Sequence, residues 1–143
     1  MVDVKTQCDM NISADKVWNL IAGFNTLPDY HGSIAKSELK KGGAERHLTM
    51  SDDAGGGIVV ERLVRYDDDA REFSYKIIEL IDCPLPLENY QAFVKVAETG
   101  PNACCVHWGS RFDPIGVSDE EAVTIAEGIY EGCHAGIRKT LNV

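Results

Sequence analysis

The stretch from Ser33 to Arg111 constrains the fold more than any other part of the chain, because it holds six short strand-like segments and no strong helical pattern. The segments read "SIAKSELKKG", "ERHLTMS", "GIVVERLVRYD", "EFSYKIIELI", "ENYQAFVKVAE" and "NACCVHWGSRFD". Apolar and polar residues alternate along them, which is the period of a half-buried strand. Between them lie the hairpin signals "KGGAE", "SDDAGGG", "YDDDARE" and "ETGPN". Strands joined by turns this tight form an antiparallel meander. One connection differs. "DCPLPLEN" carries two prolines, which cannot donate to a ladder, so it reads as a loop at a sheet end.

The flanks complete the order. Residues 2–10, "VDVKTQCDM", alternate like a strand. "NISADKVWNLIAGF" follows as a helix, with Ser13 as N-cap, Asp15 in the first turn and Val17, Trp18, Leu20 and Ile21 as its apolar face. Gly23 is expected to end it. "NTLPDYHG" reads as a second short helical turn. Past "DPIGVSD", Ser118 and Glu121 form a capping-box pattern, and a helix is expected to run to about Leu141. Strand, two short helices, six strands and a long helix make an α+β fold: a curved seven-stranded antiparallel sheet with helices on one side. A long helix laid across such a sheet encloses a space suited to a small ligand.

The bulk numbers agree with a single domain spanning 1–143. A formal charge of -9 argues against nucleic acid and against anionic lipid surfaces. The densest cationic cluster, Lys36, Lys40, Lys41 and Arg46, is diluted by Glu38 and Glu45. No signal peptide is expected, and no apolar run is long enough to span a membrane. Five cysteines without a CxxC pair suggest reduced thiols in a cytoplasmic protein. His47, His107 and His134 lack metal-ligand spacing, and Cys105/His107 and Cys133/His134 are too close in sequence to converge on one ion, so no metal is expected. GxSxG, P-loop and GxGxxG patterns are absent, and no cofactor is expected. The "DDD" run at 67–69 reads as a solvated turn.

Strand parity selects the inward side chains. In "NYQAFVKVAE" these are Tyr90, Ala92, Val94 and Val96. In "CCVHWGSRF" they are Cys104, Val106, Trp108, Ser110 and Phe112. "GIVVERLVRYD" is ambiguous, because Glu61 falls on one face and Arg62 on the other. An inward Glu61 would need a partner or a proton, and Arg46, across the "SDDAGGG" hairpin, is the nearest candidate. The last helix poses a further question. Gly128, Gly132 and Gly136 recur at four-residue intervals along it, although each interior glycine costs about 1 kcal/mol relative to alanine. The stripe either lets the helix approach the sheet closely, or leaves volume for a ligand, or faces solvent.

"GIVVERLVRYDDDAREFSYKIIEL" with "PLENYQAFVKV" resembles the bacterial polyketide cyclase/dehydrase-like branch of the START and Bet v 1-like (SRPBCC) superfamily. "VWNLIAGFNTLPDYHGSIAKSEL" and "GIYEGCHAGIRKTL" fit the first helices and the closing helix of that family, so the resemblance covers nearly the whole chain. It implies the helix-grip fold with an internal cavity. It also implies that His31 supplies a polar group to the cavity, that Glu61 faces inward to hold polar ligand atoms through water, and that Tyr90 is a cavity tyrosine. The plant abscisic-acid receptors are more distant relatives. Their gate and latch motifs are missing from "MSDDAGGG" and "DCPLPLEN", so abscisic acid is not the expected ligand. Tyr30, Arg46, Tyr75, Trp108 and Gly132 join His31, Glu61 and Tyr90 as candidate ligand contacts. Three functions stay open. The first is binding of a small hydrophobic, lipid-like or amphipathic molecule for carriage, sensing or storage. The second is a cofactor-free cyclase or dehydratase using His31 and Glu61 as acid and base. The third is a protein-interaction module with a vestigial cavity.

Overall fold

A computed structural model describes residues 1–143. Strand β1 (Val2–Met10) leads into helix α1 (Ala14–Ile21) and a 3-10 turn at Leu27–Asp29. The meander follows as β2 (Ile34–Lys40), β3 (Glu45–Met50), β4 (Ile58–Asp67), β5 (Glu72–Ile81), β6 (Leu87–Gly100) and β7 (Ala103–Pro114). Helix α2 (Asp119–Leu141) closes the chain. The strands form one antiparallel sheet in the order β1-β7-β6-β5-β4-β3-β2. This is the α+β helix-grip architecture expected from the sequence: a seven-stranded antiparallel sheet, two short helical segments after β1, and a long C-terminal helix.

Local chemistry explains the element ends. Ser13 Oγ accepts from Lys16 N at 3.3 Å, and Ser118 Oγ accepts from Glu121 N at 3.1 Å, so both helices begin where a side chain satisfies an otherwise unpaired N–H. Asn142 closes α2 in a left-handed conformation, φ 59°. Helix α1 ends just before Gly23, as expected, but Ala22 is the cap residue in right-handed geometry and Gly23 does not take the left-handed conformation. The Thr26 hydroxyl lies 2.7 Å from the Leu20 carbonyl and 2.8 Å from that of Gly23, supplying the end of the helix with a donor from a following side chain. The "DDD" turn is also more than a solvated loop. Asp68 accepts from the Trp18 indole at 2.7 Å, and Arg71, in left-handed geometry, binds Asp15 at 2.7 Å, so the β4–β5 hairpin is tied down onto α1.

The inward faces are those assigned by parity. Tyr90, Ala92, Val94 and Val96 on β6 are buried, as are Cys104, Val106, Trp108, Ser110 and Phe112 on β7. Glu61 faces inward and Arg62 faces outward, where it pairs with Glu45. The register that sets Arg46 opposite Glu61 resolves the ambiguity.

The glycine stripe meets neither the sheet nor solvent along most of its length. A Cβ at Gly136 would overlap the Tyr30 carbonyl, and one at Gly132 would stand 2.9 Å from the His31 ring. At Gly128 the surrounding space is open. The helix thus packs onto the segment after the 3-10 turn, close at its C-terminal half and free at Gly128. Thr140 Oγ1 donating to the Asp29 carbonyl at 3.2 Å, and a His31 bond to the Ile129 carbonyl at 3.1 Å, extend this docking line. The apolar row beside the stripe shows the same gradient, from Ile137 at 0% and Cys133 at 2% to Ile125 at 38% exposed.

Candidate functional site

Between α2 and the concave face of the sheet lies a cavity of about 310 Å³. Its walls are mostly apolar. Leu48, Val59, Ile77 and Leu87 come from the sheet, and Ile125 and Ile129 from α2. Among its lining residues Gly128 and Ile125 on α2 are exposed, and Ala54 in the β3–β4 turn and Leu85 in the loop between β5 and β6 are half-buried, so the cavity meets solvent at this end. Those two loops touch. Gly57 sits so close to the Asp82 carbonyl, at φ +84°, that no Cβ fits, and a Cβ at Gly55 would stand 2.8 Å from Pro84. The glycine-rich hairpin tip is therefore shaped by a partner remote in sequence.

Six of the eight candidate contacts line the cavity: His31, Arg46, Glu61, Tyr75, Tyr90 and Trp108. Tyr30 does not line it; it is buried with its ring centroid 6.3 Å from that of Trp108, and its backbone abuts Gly136. Gly132 does not line it either, because the His31 ring stands in between. Two wall residues that strand parity could not reveal are Tyr130 and Cys133, both on α2.

The polar centre is the Arg46–Glu61 pair. Arg46 is 1% exposed and Glu61 5%. Arg46 Nε donates to Glu61 Oε1 at 2.7 Å, and Nη1 donates to the Phe24 carbonyl at 2.9 Å. The guanidinium carbon lies 4.2 Å from the centroid of the Phe24 ring and 4.9 Å from that of Tyr75, so two aromatic faces hold the group between them. Nη2 also lies 2.6 Å from Glu61 Oε1 but is not aligned with it, and it has no aligned acceptor. Burial pushes the Glu61 carboxyl up, and the charge of Arg46 pulls it partly back. For Arg46 burial works against the charge, the Glu61 carboxylate favours it, and the guanidinium stays protonated.

The hydroxyl groups form a second polar line. The Trp108 indole donates to the Tyr75 hydroxyl at 3.0 Å, which leaves that hydroxyl's own proton available. The Tyr90 and Tyr130 hydroxyls bond to each other. Burial pushes Tyr75, Tyr90, Tyr130 and the Cys133 thiol well up, so none is a ready anion at neutral pH. His31 is held at both nitrogens. Nδ1 accepts from Ser33 N at 3.2 Å, so Nε2 carries the proton and donates to the Ile129 carbonyl. Burial lowers its pKa, and the bond to Ile129 works the other way.

This geometry defines a helix-grip protein with a mostly apolar cavity and one buried ion pair in its wall. The chain belongs to the family described as polyketide cyclase/dehydrase and lipid transport, whose model matches residues 1–142. Among solved structures, it is 38% identical to the protein XoxI from Bacillus cereus, over 99% of this chain and 97% of that one, with a TM-score of 0.89. A protein from Bacillus thuringiensis is 37% identical over 98% of this chain and 99% of its own, with a TM-score of 0.88. An aromatase/cyclase from a Streptomyces species shares the fold at 15% identity and a TM-score of 0.76, covering 99% of this chain and 94% of that one. Comparison with curated proteins gives no match.

Proposed function

We propose that the protein binds a small amphipathic molecule in this cavity and acts as its carrier, sensor or store. The observation that carries the proposal is a buried, charged Arg46–Glu61 pair in the wall of a mostly apolar cavity. Two buried charges lose several kcal/mol of hydration each, and an apolar pair of similar volume is often as stable or more so. A fold selected for stability alone gains little from such a pair beside a void. As a ligand anchor the pair is useful. The free proton of Tyr75 is a donor for a carbonyl or hydroxyl oxygen, and the Glu61 carboxylate, oriented by Arg46, is an acceptor. The net charge of the pair is zero, which favours uncharged polar groups over full anions. The aromatic walls suit a ring or a chain. The family description, which joins cyclases to lipid transport, supports this class of occupant.

A cyclase or dehydratase reading finds less support. General acid–base work needs a titratable group free to exchange a proton within reach of substrate. His31 has both nitrogens engaged, and Glu61 is held by Arg46. Titration of the full chain with aminoanthracene, an uncharged fluorescent tricyclic amine, tests the binding reading. Saturable, equimolar fluorescence enhancement is expected, and its loss in Trp108→Ala; a wild-type protein that takes up no probe contradicts the reading.

A further inference from the structure

Gly128 is the one member of the glycine stripe that packing does not explain. Gly136 and Gly132 have the Tyr30 carbonyl and the His31 ring where their Cβ atoms would be. Gly128 has nothing within 4 Å, and its φ lies outside the left-handed region, so any L-residue fits its backbone. It lies in the interior of a 23-residue helix and is exposed. Alanine there would be more favourable for the helix. What Gly128 does border is the cavity, whose lining it shares with Ile125 and Ile129 on its own helix and with Ala54 and Leu85, and because Gly128 is exposed it lies where the cavity meets solvent. The same cavity holds Arg46, 1% exposed, with its unaligned Nη2.

We propose that Gly128 sets the width of the cavity entrance, so that the missing side chain fixes the size of compound the protein admits. This rests on the ligand-binding reading above. A leucine at this position would stand in the opening, and its bulk would meet the incoming molecule rather than the protein core. Access would narrow while the fold stayed intact. The neighbouring glycines cannot be used this way, because substitution there displaces the Tyr30–His31 segment.

The experiment uses the full chain as wild type, Gly128→Ala and Gly128→Leu. Thermal unfolding without ligand comes first, followed by aminoanthracene titration. Gly128→Ala is expected to melt about 2–4 °C higher than wild type and to keep its affinity. Gly128→Leu is expected to melt no lower than wild type and to bind the probe about tenfold or more weakly. Undiminished binding by Gly128→Leu, or a melting point below wild type, overturns the proposal while leaving the ligand-binding reading in place. A wild type that binds no probe overturns both.

Discussion

Arg46 and Glu61 are the residues whose burial is hardest to justify on stability alone, and their substitutions separate two roles. Removing one partner strands the other. Arg46→Met leaves an uncompensated carboxylate in a 5% exposed position, with an expected loss of about 3–5 kcal/mol in urea unfolding. The double variant Arg46→Met/Glu61→Leu is expected to recover most of that loss, because no buried charge remains. A double variant as unstable as the single one would show that the pair is a structural requirement. The glycines give a second residue-scale test. Gly136→Ala forces a Cβ into the Tyr30 carbonyl and is expected to cost about 2 kcal/mol or more in the same assay. A neutral result would contradict the docking line. At this scale the sequence was partly legible. Parity placed Tyr90 and Trp108 inward, but it could not choose between Glu61 and Arg62, since each face of β4 carried one charge. The choice depends on the β3–β4 register, which sets Arg46 beside Glu61. Tyr130 and Cys133 were not among the candidate contacts, because a helix's rotation against its sheet is set by tertiary contacts, here the glycine docking line, and not by its own periodicity.

Elements were easier to read than their mutual docking. Helix starts follow from Ser13 and Ser118, and strands from two-residue alternation, both signals carried within a few residues. The contact of the β3–β4 turn with the loop between β5 and β6 joins positions far apart in sequence, and nothing local marks it. The docking of α2 has a pH signature. His31 and His134 are both buried and neutral. Thr6 donates to the Trp108 carbonyl, so His134 Nε2 carries the proton toward Thr6, and Nδ1 is left without a partner. Burial lowers both imidazoles below the ordinary 6.5, with the Ile129 carbonyl opposing at His31 and Glu131 opposing at His134. The unfolded chain therefore binds more protons than the fold below that value. Stability conferred by the neutral rings is present above about pH 6.5 and is lost as pH falls through and below it. The melting temperature should fall between pH 7 and pH 5, and His134→Gln should flatten the decline. A flat profile in the wild type would contradict the assigned protonation states.

At the scale of the molecule, a curved sheet and one long helix keep apart two surfaces that would otherwise collapse together. The docking line holds α2 against the Tyr30–His31 segment at one end, and the gap widens toward Gly128, where the cavity opens. No helix is long and apolar enough to cross a membrane. The fold was legible in full because strand count, turn signals and caps all point to the same topology. The occupant was not, because a cavity's contents depend on shape and on a few polar atoms that many sequences can supply. Native mass spectrometry of the purified full chain, wild type beside Arg46→Met/Glu61→Leu, decides whether the ion pair anchors a ligand. The wild type is expected to carry a noncovalent small-molecule adduct that is absent or much reduced on the folded double variant. A wild type with no adduct, or a double variant that retains it in full, would rule out a cavity ligand held by the pair.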